Sequence, residues 1–192
     1  MKEDNISIVE KPEWLSWDDI RNHLIEAHAG NRERGINNSR YGLPADEIRD
    51  FIGENGRMLV ALDGEKLVGT LGLADKKTGA WFTRGRYAYF CFGATNAEYA
   101  GHGIYSRLSQ QLEQTAIALN YKTLLLDTHY KNMRLQAIAK RNGFRLVSFA
   151  ATPDRDHYYV VMVKWVGKEP HSPLYCHIRY LLSKLRTYIK PR

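Results

Sequence analysis

The sequence predicts a mixed α/β (α+β) domain, and three observations carry that expectation. From Tyr87 to Phe144 the residues read in turn as strand, glycine-bearing turn, helix, strand and helix. Upstream, the apolar runs 57–62 and 66–73 flank Asp63-Gly64, a dipeptide that tolerates the positive φ of a tight hairpin. The 192 residues are 44% hydrophobic and lack biased tracts or internal repeats, which suits a single core.

In chain order, a short strand at Ile6–Val9 comes first. Ser16 then precedes Trp17, Ile20, Leu24 and Ala27 or His28, whose three- and four-residue spacing specifies a helix that Gly30 is expected to end. The Gly-, Asn- and Arg-rich segment 31–43 reads as a loop of the kind that borders a cleft. Pro44, followed by Asp46 and Glu47, starts a second short helix toward Phe51. After the hairpin comes the aromatic strand Tyr87–Thr95, whose Gly93 fits a bulge, a close approach of another molecule's backbone, or a packing glycine. Ile104, Leu108, Leu112, Ala116 and Leu119 mark one face of a helix, and Thr123–Asp127 reads as a buried strand. Asn132 caps or starts the next helix, Asn142-Gly143 closes it, and strands Phe144–Phe149 and Tyr158–Trp165 complete the sheet.

Composition narrows the setting. No run of about 18 apolar residues could span a bilayer, and the start MKEDNISIVEKPEW lacks a signal peptide's apolar core, so a cytoplasmic protein is expected. That expectation gives little weight to the glycosylation pattern Asn37-Asn38-Ser39. Cys91 and Cys176 have no paired spacing; both read as free thiols, with no metal site. The net charge of +7 is uneven: residues 168–192 carry six Lys or Arg against Glu169 alone. That places the cationic surface in a terminal extension and argues against a globally basic nucleic-acid binder. We therefore divide the chain into a domain at 1–167 and a basic amphipathic C-terminal extension at 168–192.

The turn before Ile104 is the most telling segment. A helix start leaves amide groups unpaired and carries the positive end of the helix dipole, so it suits a phosphate-bearing ligand. The stretch Tyr99-Ala100-Gly101-His102-Gly103-Ile104-Tyr105, with Leu126-Asp127-Thr128, Asn132 and Asn142-Gly143-Phe144 downstream, resembles the GNAT acyltransferase superfamily over roughly residues 5–165. The family's pyrophosphate loop commonly reads Arg or Gln, two variable residues, Gly, one variable residue, then Gly or Ala. Gly103 matches its first small residue, whereas Ala100 stands where Arg or Gln is usual and Tyr105 where a second small residue is usual. The resemblance implies a GNAT-like acyl-CoA N-acyltransferase fold, a mixed twisted sheet flanked by helices. It implies acetyl-CoA as co-substrate, with pantetheine added along Gly93, Ala94 and Thr95. The phosphates would sit at Ala100, Gly101, His102, Gly103, Ile104 and Tyr105, and Asn132 would hydrogen-bond pantetheine. A family Tyr that protonates the departing thiolate is replaced here by Ala139.

On this basis the expected reaction is acetyl transfer to an amine of a small-molecule or amino-sugar-like acceptor. The alternative is a catalytically silent acyl-CoA-binding protein, motivated by Ala100, Tyr105 and Ala139. An ammonium acceptor must lose a proton. Asp127 and His129 are the leading bases, because strand alternation puts them on one side; His157 and Tyr158 are weaker ones. Glu47, Asp50 and Glu54 are candidates for cation recognition or a solvated helix face. In the extension, Leu174, Ile178, Leu181, Leu182, Leu185 and Ile189 share one helical face, with Pro173 in the first turn. That face suits packing on the domain, contact with a second subunit, or an anionic membrane surface, which would make the protein membrane-peripheral.

Overall fold

In the computed structural model, which describes residues 5–36, 39–83, 85–152 and 157–189, seven strands form one sheet. They are β1 (Ile6–Glu10), β2 (Arg57–Asp63), β3 (Lys66–Thr78), β4 (Gly85–Thr95), β5 (Thr123–His129), β6 (Arg145–Ala151) and β7 (Tyr158–Trp165). Their order across the sheet is β1-β2-β3-β4-β5-β7-β6, and only the β4–β5 pair is parallel. Asn37, Asn38, Lys190 and Arg192 lie outside the described residues.

Two apolar layers sandwich the sheet. On one face α4 (Ile104–Ala118) buries Ile104, Leu108, Leu112 and Ala116 against Leu71, Phe90, Leu124 and Leu126, joined by Ala139 of α5 (Met133–Arg141). The other face is covered by α1 (Trp17–Ala27) and α3 (Ala45–Ile52), whose Ile20, Leu24 and Ile48 meet Val60, Tyr89 and Leu125. Leu124 and Leu126 therefore face α4, while Leu125 faces α1 and α3, as a strand buried on both sides requires.

Local chemistry explains most boundaries. Ser16 accepts from the Asp19 amide while the Asp19 carboxylate accepts from the Ser16 amide, a reciprocal cap that starts α1. The β2–β3 hairpin turns at Gly64 and Glu65, with Asp63 paired to Lys66 and Gly64 at φ 60°. Two expectations are corrected. Gly30 does not end the first helical segment: α1 stops at Ala27, His28 caps it, and Gly30 lies inside a second short helix, α2 (Ala29–Glu33). The β3–β4 hairpin also runs past the apolar runs that announced it, with Asp75, Lys76 and Lys77 paired to Ala88, Tyr87 and Arg86. An ion pair at 2.8 Å between Arg86 Nε and Asp75 supports this polar extension.

The C-terminal segment forms α6 (Pro173–Ile189), which lies along β6, the last strand of the sheet. Ser183 Oγ accepts from the Phe149 amide at 2.8 Å, and Thr187 Oγ1 donates to the Phe149 carbonyl at 3.2 Å. Cys176 is buried with Val147, Val163 and Trp165. The helix docks through this mixed face, and the aliphatic row from Leu174 to Ile189 points outward.

Candidate active site

The parallel β4–β5 ladder contains three residue pairs, Ala88–Leu124, Tyr89–Leu125 and Phe90–Leu126. Beyond them β4 continues on β3 as far as Thr95 and β5 continues on β7 as far as His129, so the two strands part and leave a gap. In β4, Phe92 and Gly93 together oppose Leu71, because the ladder jumps from Cys91–Gly72 to Ala94–Thr70. Phe92 takes φ 53°, a left-handed conformation that costs a bulky residue roughly 1–3 kcal/mol. Both bulge carbonyls are held. Thr70 Oγ1 donates to the Phe92 carbonyl at 2.9 Å, and His28 Nε2 donates to the Gly93 carbonyl at 3.0 Å. Gly93 is also a packing glycine, since a Cβ there would lie 2.9 Å from the Tyr105 ring and 3.0 Å from Leu71.

The turn leading into α4 stands beside this bulge. Gly101 and Gly103 have φ of 93° and 72°, values that only glycine adopts without strain, and space is open where each Cβ would be. They let the chain reverse and start a helix whose first backbone bond runs from Arg107 to Gly103. The first-turn amides have no acceptor within the helix, and Ile104 beside them is buried. His102 is exposed beside them. Glu98, a negative charge close to this turn, is paired with Lys66 at 3.0 Å. Thr95 Oγ1 is buried without a hydrogen-bond partner, an orphan donor and acceptor at the end of β4 where pantetheine is expected. The helix start and the orphan Thr95 hydroxyl fit a ligand carrying phosphate and amide groups. Asn132 Oδ1 accepts from the Leu135 amide at 3.2 Å and caps α5.

The other side of the gap is polar and aromatic. Asp127 lies beyond the last β4–β5 pair, on the α1 and α3 face, with Arg40 Nη1 at 3.4 Å from its carboxylate. Arg40 also donates to the Tyr89 hydroxyl and lies over the Tyr89 and Phe51 rings at 5.2 and 5.3 Å. Burial works against the Arg40 charge, but Tyr89 and Asp127 outweigh it and raise its pKa above the ordinary arginine value. Burial, reinforced by the Asp127 carboxylate, keeps the Tyr89 hydroxyl well above the usual tyrosine range. His129 follows two residues after Asp127 and is also buried. Burial first, then His157 and Lys131, hold it below the usual histidine value, so it is neutral at pH 7. Its Nδ1 accepts from the Lys131 amide at 3.3 Å, which leaves the ring proton on Nε2.

The remaining candidates separate. Tyr158 stacks on Phe149 and Tyr188 and so belongs to the α6 contact. The His157 ring is 6.5 Å from that of His129. Asp50 and Glu54 line a cavity of about 430 Å³ with Lys11, Arg49 and Arg57, away from the β4–β5 gap. Among the described residues no three His, Cys, Asp or Glu side chains form a metal-binding cluster. Arg40 and His28 escaped the sequence reading. Arg40 was hidden in the segment read as a cleft-bordering loop, and His28 ended a helix pattern without any local sign of its distant carbonyl partner.

Comparison with known proteins agrees with this geometry. Residues 17–144 match the family model described as acetyltransferase (GNAT) family. No curated protein matches the chain. Among solved structures, an acetyltransferase from Streptococcus agalactiae 2603 is 19% identical with a TM-score of 0.65, covering 85% of this chain and 99% of its own. A GNAT family acetyltransferase from Elizabethkingia anophelis, solved with acetyl-CoA bound, is 15% identical with a TM-score of 0.60, over 85% and 99% of the two chains. An aminoglycoside 6'-acetyltransferase type Ii is 17% identical with a TM-score of 0.63, again over 85% and 99%.

Proposed function

This chain belongs to the acetyltransferase (GNAT) family, and we propose that it transfers an acetyl group from acetyl-CoA to the amine of a small-molecule or amino-sugar-like acceptor. The observation that carries the proposal is the β4–β5 gap, flanked by the Phe92–Gly93 bulge, the Gly101–Gly103 turn and the Asp127 carboxylate. Acetyl-CoA supplies the acetyl group as a thioester, activated toward amines. The first-turn amides of α4 hold its diphosphate, and the β4 segment Gly93–Thr95 aligns its pantetheine arm. A main-chain amide of β4 stabilises the carbonyl oxygen as negative charge develops, a contribution of roughly 3 kcal/mol in comparable sites.

Asp127 and His129 are the proton acceptors in this proposal. The acceptor's ammonium loses a proton to the base, its nitrogen attacks the carbonyl carbon, that nitrogen sheds a second proton to solvent, and the carbon–sulfur bond breaks to leave the amide. We favour Asp127, because Arg40 and Tyr89 fix its carboxylate, whereas His129 Nε2 carries its ring proton while Nδ1 accepts from Lys131. Arg40 acts as a positioning residue. Ala139 is buried in the core beside Phe144, so its position offers no hydroxyl to the leaving thiolate. Solvent protonates that thiolate, which is tolerable for so acidic a leaving group.

Free thiol release from acetyl-CoA with a panel of amines, amino sugars and peptides tests the reading. Asp127→Asn is expected to lower turnover by about 10²–10⁴-fold with little change in acetyl-CoA affinity. The buried Ala139 favours one second reading, a silent acyl-CoA-binding protein. Calorimetric binding of acetyl-CoA with no transfer to any acceptor would select it.

A further inference from the structure

The outward face of α6 is the largest exposed apolar feature among the described residues. Leu174, Ile178, Leu181, Leu182, Leu185 and Ile189 are each 44–68% exposed, although the helix is firmly docked. At 100° per residue these six fall within about one-third of the helix circumference. The docking residues Cys176, Ser183 and Thr187 occupy the opposite side. The usual amphipathic arrangement, apolar side to the body, is therefore reversed.

The flanks carry charge of one sign. Arg179 and Arg186 border the apolar row on one side and Lys184 with His177 on the other, and α6 contains no Asp or Glu. Arg179 lies over the Trp81 ring at 5.1 Å and Lys184 over the Phe149 ring at 5.7 Å, so both charged heads sit at the seam between helix and body, on either flank of the row. Tyr188, 57% exposed, sits at its margin. A second copy of this helix packed face to face would line the seam with cations and offer no carboxylate from either helix. A surface dense in negative phosphates complements both flanks at once.

We propose that α6 seats the protein on an anionic membrane surface, its aliphatic row entering the headgroup–acyl boundary and Arg179, Lys184 and Arg186 meeting lipid phosphates. No helix among the described residues is long and apolar enough to cross a membrane, so the contact is peripheral. The full chain is expected to cosediment with phosphatidylcholine vesicles containing about one-third phosphatidylglycerol, and not with phosphatidylcholine alone. Lys184→Gln with Arg186→Gln is expected to weaken that binding by about tenfold or more, and raised salt is expected to mimic it. Leu181→Glu with Leu185→Glu, both outward, is expected to abolish it while leaving the thermal melt in place. Equal binding to neutral vesicles, or binding that survives the leucine variant, would overturn the proposal. So would sedimentation equilibrium showing a dimer that the leucine variant dissociates, with no vesicle binding by the parent chain.

Discussion

His28 shows how much one side chain can hold in place. Its Nδ1 accepts from Asn31 Nδ2 at 2.9 Å, Asn31 Oδ1 accepts from Arg34 at 2.7 Å, and the tautomer left by this chain puts the proton on Nε2, facing the Gly93 carbonyl. Burial is the main cause that lowers the His28 pKa to about 4, and burial alone does the same for His23, whose Nε2 has no partner. Because both folded values lie below the unfolded value of about 6.5, the unfolded chain binds more protons between them. The share of stability that these two histidines govern is expected to be full above pH 6.5, to fall as pH drops toward 4, and to level off below. Each histidine contributes about 3 kcal/mol to that fall. Urea midpoints from pH 7.5 to 4 check it, and His23→Leu is expected to remove about half of the slope. At this scale the sequence was only partly legible. Strand alternation placed Asp127 and His129 on one side, but Arg40 reaches Asp127 across 87 positions of chain, and no local pattern announces such a contact.

Elements were easier to read where their signals are local. The helix start after Ser16, the Gly64 turn and the Asn132 cap each depend on residues three or four apart, and each stands where the sequence placed it. The β3–β4 extension did not show, because Asp75–Lys77 has the polarity of a loop and becomes a strand only through its partner. The start of α4 combines both kinds of signal. Its glycines were visible, and a bulge was one of the roles open to Gly93, while the register that draws Phe92 into that bulge is defined only by the assembled sheet. Gly103→Glu is the sharp test of this element. It adds backbone strain of about 1 kcal/mol and a negative charge where the diphosphate is proposed. Acetyl-CoA affinity is expected to fall at least about tenfold by calorimetry while the circular dichroism spectrum is kept; unchanged affinity would mean the diphosphate lies elsewhere.

At the scale of the whole molecule, the sheet ends on β1 at one side and β6 at the other. A terminal strand exposes alternate amides and carbonyls, and here Ser183 and Thr187 occupy both groups of Phe149. The basic extension is thus tied to the sheet even while its apolar row faces away. Cutting the chain near Gly167 would do more than remove charge. It would uncover Val147 and Trp165 and bare a ready template for strand addition. The shortened protein is expected to elute as concentration-dependent multimers and to raise thioflavin fluorescence, where Leu181→Glu with Leu185→Glu stays dispersed. The C-terminal helix thus closes one of the two borders of the sheet, like a clasp along a seam.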